Sequence, residues 1–203
     1  MKILLACEES QAVTKELRSL GHEAYSCDLY PCSGGHPEWH LQQDVAELLK
    51  QDWDMIIAFP PCTYMTNGGA VRMYPQKGVV DPDRLAKAME AKEFFMMFYN
   101  ADCPRIAIEN PMPMKVVGLP EKSQVIQPYQ FGDPYSKRTY LWLKGLPNLV
   151  PTEVLTEYQP FINGGGGRMT KDNYKGKKFA GGSKNRSKTF HGIAKAMATQ
   201  WTI

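Results

Sequence analysis

A single cysteine, Cys62, follows two prolines in the stretch Asp54-Met-Ile-Ile-Ala-Phe-Pro-Pro-Cys-Thr-Tyr-Met-Thr66. A thiol is a strong nucleophile at neutral pH once its thiolate is favoured, so this position can carry covalent chemistry. Pro60 and Pro61 restrict φ and give no N–H to a ladder. They stop the apolar run Met55 to Ala58 and fix the place of the cysteine. A carboxylate, Glu109, closes a second apolar run in Pro104-Arg-Ile-Ala-Ile-Glu-Asn-Pro111. Such a charge at the end of a buried strand is unfavourable without a partner, and Pro111 biases Asn110 away from helix. A third segment, Gln130-Phe-Gly-Asp-Pro-Tyr-Ser-Lys-Arg-Thr-Tyr-Leu-Trp-Leu143, sets Lys137 and Arg138 before a β-type run. Arg138 offers a planar fork suited to a planar acceptor or a phosphate. Each residue also has a plainer reading: a buried thiol, a carboxylate capped by loop N–H groups, a solvated basic residue before a strand. If the first two runs are neighbours in a parallel sheet, thiol and carboxylate share one cleft, because open α/β sheets place chemistry at the carboxyl ends of their strands.

The elements that must position these residues alternate. Lys2 to Ala6 reads as a strand, followed by a helix from about Ser10 to Leu20 with Ser10 as N-cap and Gly21 as stop. Glu23 to Ser26 is the second strand, ending at Cys27-Asp28. Pro31 to Trp39 is irregular, and Asp44 precedes a short helix, Val45 to Leu49. Met55 to Ala58, Ile106 to Ile108, Val125 to Gln127 and Thr139 to Leu143 complete the strands. Poor alternation in the last of these marks a strand buried on both faces. Asp81 or Asp83 caps a long helix to Tyr99. Strands alternating with helices give an α/β fold with a mostly parallel, doubly wound sheet over residues 1–150. A Gly/Lys-rich connection covers 151–186, and residues 187–203 form a helix whose stripe of Ile193, Ala194, Met197 and Trp201 packs back on the domain.

A chain of 203 residues is long enough for one such domain with a sizeable core. Its 43% hydrophobic content, without any long apolar run, fits a soluble globular protein and argues against a membrane span. Five cysteines, odd in number and scattered, point to reduced thiols and a cytoplasmic setting. The start of the chain passes at once into Glu8-Glu9, so no export signal is visible. Cys27, Cys32, His36 and His40 lack a paired Cys-x-x-Cys spacing, so no metal site is expected. A net charge of +3 permits nucleic-acid binding without arguing for it. Its distribution says more: Arg168, Lys171, Lys175, Lys177, Lys178, Lys184, Arg186 and Lys188 are opposed only by Asp172 and interleave with Tyr174 and Phe179. That mixture suits a phosphate backbone and splayed bases, or else a solvated loop.

Pro61-Cys62, Glu109-Asn110 and Lys137-Arg138, in this order, resemble the cytosine-C5 DNA methyltransferases. The resemblance implies a Rossmann-like fold that uses S-adenosylmethionine. It implies Cys62 as the nucleophile toward C6 of cytosine, Glu109 at the N3 and amino edge, and Arg138 at the base carbonyl. Cofactor contacts are expected from Cys7, Glu8, Glu9, Ser10, Asp28, Asp44 and Pro60. Asp28 ends the second strand, where such folds hold ribose hydroxyls. Contacts to DNA are expected from Lys137, Arg168, Lys177, Lys178 and Arg186. Two features depart from the family. The loop after the first strand, Ala6-Cys-Glu-Glu-Ser-Gln-Ala12, has no glycine. The stretch from Lys144 to Arg186 is short where the DNA enzymes carry a large target-recognition region. Recognition is then minimal, the substrate is small or single-stranded, or a protein partner supplies it. Two other readings stand beside DNA methylation: an enzyme acting on a free pyrimidine nucleotide, and an inactive nucleic-acid-binding or inhibitor protein on the same fold.

Overall fold

The computed structural model describes residues 1–161 and 188–203. Arg168, Lys177, Lys178 and Arg186 lie outside the described residues. Nine strands are described: β1 Lys2–Ala6, β2 Glu23–Asp28, β3 His40–Gln42, β4 Met55–Ala58, β5 Ile106–Pro111, β6 Gln124–Ile126, β7 Tyr135–Ser136, β8 Thr139–Lys144 and β9 Gln159–Pro160. The helices are α1 Ala12–Ser19, α2 Ala70–Met73, α3 Pro82–Tyr99 and α4 His191–Trp201, with short 3-10 turns between.

Seven strands form one sheet in the order β3-β2-β1-β4-β5-β8-β6. β3 through β5 run parallel, and β8 is antiparallel to both its neighbours. The Rossmann-like, doubly wound and mostly parallel sheet expected from the sequence is the sheet observed. The chain winds outward in one direction from β1 and in the other from β4, so the crevice of the sheet opens at the carboxyl ends of those two strands.

Central strands are apolar along their whole length because both faces are covered. Ile3, Leu4, Leu5 and Ala6 are all fully buried. Leu4, Ile56, Ile108 and Trp142 point to the face covered by α3, where Phe95 and Phe98 pack. Ile3, Leu5, Ile57, Ala107 and Leu141 point to the face covered by α1 and α4. Ile193, Ala194, Met197 and Trp201 of α4 are buried in that second cluster. The approach of α4 is close: a Cβ on Gly192 would lie 1.8 Å from the Phe131 carbonyl oxygen, so only glycine fits. Asp81 caps α3 by accepting from Arg84 N at 2.8 Å.

Several expectations need correction. β3 follows directly on the irregular loop expected to end at Trp39, and the two-residue pair β7–β9 closes the proline-spaced connection. The stretch Val45–Lys50, expected as a short helix over Val45 to Leu49, is a 3-10 helix capped by Asp44. Ser10 does not cap α1. Gln11 occupies the N-cap in a left-handed conformation, φ 55°, and makes no side-chain cap bond. The cap comes instead from Glu8, whose carboxylate accepts from Val13 N at 2.7 Å, Thr14 N at 3.2 Å and the Thr14 hydroxyl at 2.6 Å. A buried acid satisfies the first turn's N–H groups better than a neutral hydroxyl, because the helix dipole favours negative charge there.

Burial raises the Glu8 carboxyl from 4.5 to about 7, against these three donors, which favour the ionised form. The folded state therefore holds the proton more tightly than the unfolded one. This group's contribution to stability is fully present below about 4.5 and is lost as pH rises through about 7. Glu8→Gln, which mimics the protonated acid, should remove that part of the pH slope in urea unfolding measured across the window. A slope identical to the parent's would mean that Glu8 titrates alike in both states.

Candidate active site

β4 and β5 are parallel neighbours, with Ala58 beside Ile108. Their carboxyl ends therefore emerge side by side, and the loops that follow are laced together. Asn110 Nδ2 donates to the Pro60 carbonyl at 3.0 Å. Asn67 N donates to Met112 O at 3.0 Å, and Met114 N donates to Met65 O at 2.7 Å. Between these ties the backbone turns at Cys62, whose carbonyl accepts from Met65 N and Thr66 N, both at 3.1 Å. Pro60 is buried, whereas Cys62 is half-buried and reachable. Sequence reasoning gave Asn110 no role beyond ending the strand. A polar side chain followed by proline, at the mouth of a buried strand, was the available signal.

Cys62 and Glu109 fall within one electrostatic neighbourhood. Burial raises the Cys62 thiol, Glu109 raises it further, and Lys137 opposes both. Burial also raises the Glu109 carboxyl, and Lys137 again opposes. Glu109 thus holds its proton to higher pH than an ordinary glutamate, and a protonated acid can donate a hydrogen bond.

The cation in this neighbourhood is Lys137, not Arg138. Alternation along β5 puts Glu109 on the same face as Ala107, and Leu141 pairs with Glu109 across the β5–β8 ladder. Stepping back by twos from Leu141 reaches Thr139 and then Lys137. Lys137 is buried at 8% exposure, while Arg138, one residue on, faces solvent. Arg138 was expected inside the site and Lys137 outside it.

The residues expected around a cofactor lie at the carboxyl ends of β1, β2 and β3, with Pro60 beyond β4. Cys7 takes φ 60°, a left-handed conformation where a glycine would be unstrained. Burial and the charges of Asp28 and Asp44 hold its thiol well above the ordinary range, which brings Cys7, Asp28 and Asp44 into one group. Asp28 Oδ1 accepts from Tyr30 N at 3.0 Å, and Asp44 Oδ1 accepts from Ala46 N at 2.9 Å. Glu8 faces inward to α1, as described, which leaves no carboxylate oxygen for a ligand ammonium. Glu9 and Ser10 are half-buried at the mouth. Ser33 N donates to Glu9 O at 2.8 Å, and the buried Gln11 side chain exchanges two hydrogen bonds with the His36 backbone, at 2.7 and 3.1 Å. These bonds seat the loop before β3 against the first loop. His40 bridges Ser26 Oγ and the Tyr30 carbonyl, and His36 stacks on Trp39 at 3.8 Å.

No family model and no curated protein matches the sequence. Among solved structures the chain is similar to a DNA modification methyltransferase encoded within a prophage of E. coli, at 14% identity and a TM-score of 0.42, over 70% of this chain and 45% of that one. It is also similar to a mutant of the DNMT2 of Spodoptera frugiperda, at 14% identity and a TM-score of 0.40, over 79% of this chain and 54% of that one. The chain spans about half the length of these structures. No helix among the described residues is long and apolar enough to cross a membrane.

The Asn110 tether has a measurable consequence. Asn110→Ala removes the donor to a buried carbonyl, and it should lower unfolding free energy by about 1–3 kcal/mol in urea titrations. Asn110→Asp should lose at least as much, because a carboxylate cannot donate to the Pro60 carbonyl. Parent-like stability in both would show that the two loops are joined by their backbone bonds alone.

Proposed function

We propose that this protein is a cytosine-C5 methyltransferase acting on DNA, with Cys62 as its nucleophile and S-adenosylmethionine as its methyl donor. The observation that carries the reading is the pairing of a reachable thiol with a proton-holding carboxyl at the ends of two adjacent parallel strands. Cys62 Sγ, as thiolate, bonds to C6 of the ring. Glu109 donates its proton toward N3, so the electron pair released into the ring is delivered to C5. A bound S-adenosylmethionine supplies an electrophilic methyl group. Loss of the C5 proton to solvent or a nearby polar group then re-forms the double bond and expels the thiolate, and the N3 proton returns to Glu109. Asp28 would hold the ribose hydroxyls and Asp44 the adenine edge, with Glu9, Ser10 and the Cys7 backbone at the methionine end and Pro60 at the floor. Within a duplex the base must leave the stack to reach such a cleft, so unpaired cytosines are the easier targets. Arg138, exposed at the rim, suits a phosphate rather than the base.

A trapping experiment tests the chemistry. Fluorine at C5 cannot leave as a proton does, so DNA containing 5-fluorocytosine with S-adenosylmethionine should give a protein–DNA adduct that survives denaturation. Cys62→Ala should give none, and Glu109→Gln should form it at least roughly tenfold more slowly with cofactor affinity preserved. Adduct formation by the alanine variant would falsify the assignment of the nucleophile. DNA contact is tested separately. Affinity should fall steeply with salt, and Lys177→Ala with Lys178→Ala should reduce the logarithmic slope by about 1–2. Equal binding of mononucleotides, with an unaltered slope, would point to a free nucleotide as substrate.

A further inference from the structure

Lys137 is buried, which a lysine ammonium rarely is without something to receive it. Its Nζ stands 5.9 Å from the centre of the Phe190 ring, within range of a cation–π attraction. Phe190 precedes α4 and is itself gripped. Phe161 meets it edge-on at 4.7 Å, Tyr135 lies 5.7 Å away, and Tyr135 and Phe161 are 5.2 Å apart. Just beyond it, Gly192 is pressed under the Phe131 carbonyl, and its N–H donates to Asp133 Oδ2 at 2.9 Å. The ring therefore cannot swing aside without unseating the first turn of α4. Among the described residues, the charged groups that act on the Cys62 thiol are Glu109 from β5 and Lys137 from the turn before β8. Beyond Phe190, His191 meets Glu16 at 3.5 Å, and Asp133 is committed to α4.

We infer that Phe190 is a positioning residue: with Tyr135 and Phe161 it holds the Lys137 ammonium toward Cys62 and Glu109, and so makes the reactivity of the Cys62 thiol depend on how α4 is seated. The inference rests on the preceding section only in taking Cys62 as the reacting thiol. A four-carbon stem has several rotamers, and most of them would carry the ammonium toward solvent. An aromatic face beneath the charge selects the inward one. Lys137 then favours the thiolate that burial and Glu109 disfavour.

The test is alkylation of the full-length protein by iodoacetamide as a function of pH, with each cysteine followed by peptide mass mapping. The thiolate displaces iodide, and neither methyl donor nor DNA is present, so the answer is independent of whether the protein methylates anything. Cys32, on the loop before β3, is the internal reference. Lys137→Met should move the Cys62 midpoint upward by about one pH unit or more, roughly a tenfold loss of reactivity at neutral pH. Lys137→Arg should stay near the parent. Phe190→Leu should shift the midpoint in the same direction as Lys137→Met, and Phe190→Tyr should not shift it. A merely structural role for Phe190 would lower the melting temperature in both Phe190 variants and leave the midpoint fixed, which overturns the positioning role. A parent-like midpoint in Lys137→Met overturns the whole proposal. If leucine at 190 prevents folding, Phe190→Met and Phe161→Leu carry the same comparison.

Discussion

Parallel strands end on the same side of a sheet, and the β4–β5 pair is where this molecule depends on that geometry. Ala58 lies beside Ile108, so the two chains leave the sheet together and their loops can be tied across a short gap. The Asn110 side chain makes the first tie and the backbone pairs around Met65 and Met112 make the rest. Rigid prolines on one side and Pro111 on the other limit the ways either loop can relax. A thiol and a carboxyl set in the middle of a seven-stranded sheet would otherwise have no reason to meet. Here their meeting follows from strand register, and it would be lost if either strand slipped by one residue.

Burial then sets the chemistry of the groups so assembled. Charged forms are disfavoured at Cys62, Glu109 and Glu8 alike, and burial is the largest cause in each. What separates them is the company they keep. Glu8 sits against the N-terminus of α1 and spends its oxygens on backbone donors. Glu109 and Cys62 share one lysine. That lysine is held on an aromatic surface built from three segments far apart in sequence: the strand β7, the end of the connection at Phe161, and the residue before α4. The C-terminal helix is in this way more than a cover for the sheet, because the residue that caps its first turn lies under the Lys137 ammonium.

The first loop meets a different constraint. Without glycine after β1, the chain still takes left-handed conformations at Cys7 and Gln11. Such residues carry strain of about 1–3 kcal/mol each unless their surroundings over-determine them. The surroundings are specific: Gln11 is fully buried and bonded to Ser26 and His36, and the neighbouring Gly34 touches its side chain so closely that a Cβ there would lie 2.4 Å from Gln11 Cβ. The loop before β3 thus holds in place what glycine would have allowed for free.

Much of this was legible in the sequence. Uniform apolar runs bounded by Pro, Gly and Asp marked β1, β4, α3 and the start of β5 to within a residue or two, because central strands and capped helices carry their own local signals. Cys62 and Glu109 were legible for the same reason, as the first reactive residues beyond runs that can only be strands. Asp28 and Asp44 followed from their places at strand and turn ends. Other features were not available locally. Choosing Lys137 over Arg138 requires the phase of β8 relative to β5, which is a property of the ladder. Recognising Glu8 as the cap of α1 requires knowing that the chain bends left-handed at Cys7 and returns its carboxylate to the helix. The clasp of Tyr135, Phe161 and Phe190 joins residues whose spacing in the chain says nothing of their contact. The sequence by itself determined which segments are buried and where each one ends, since burial and backbone freedom are encoded residue by residue. Only the tertiary structure decided which side chains share a space, because that depends on register and on the packing of distant elements against one another.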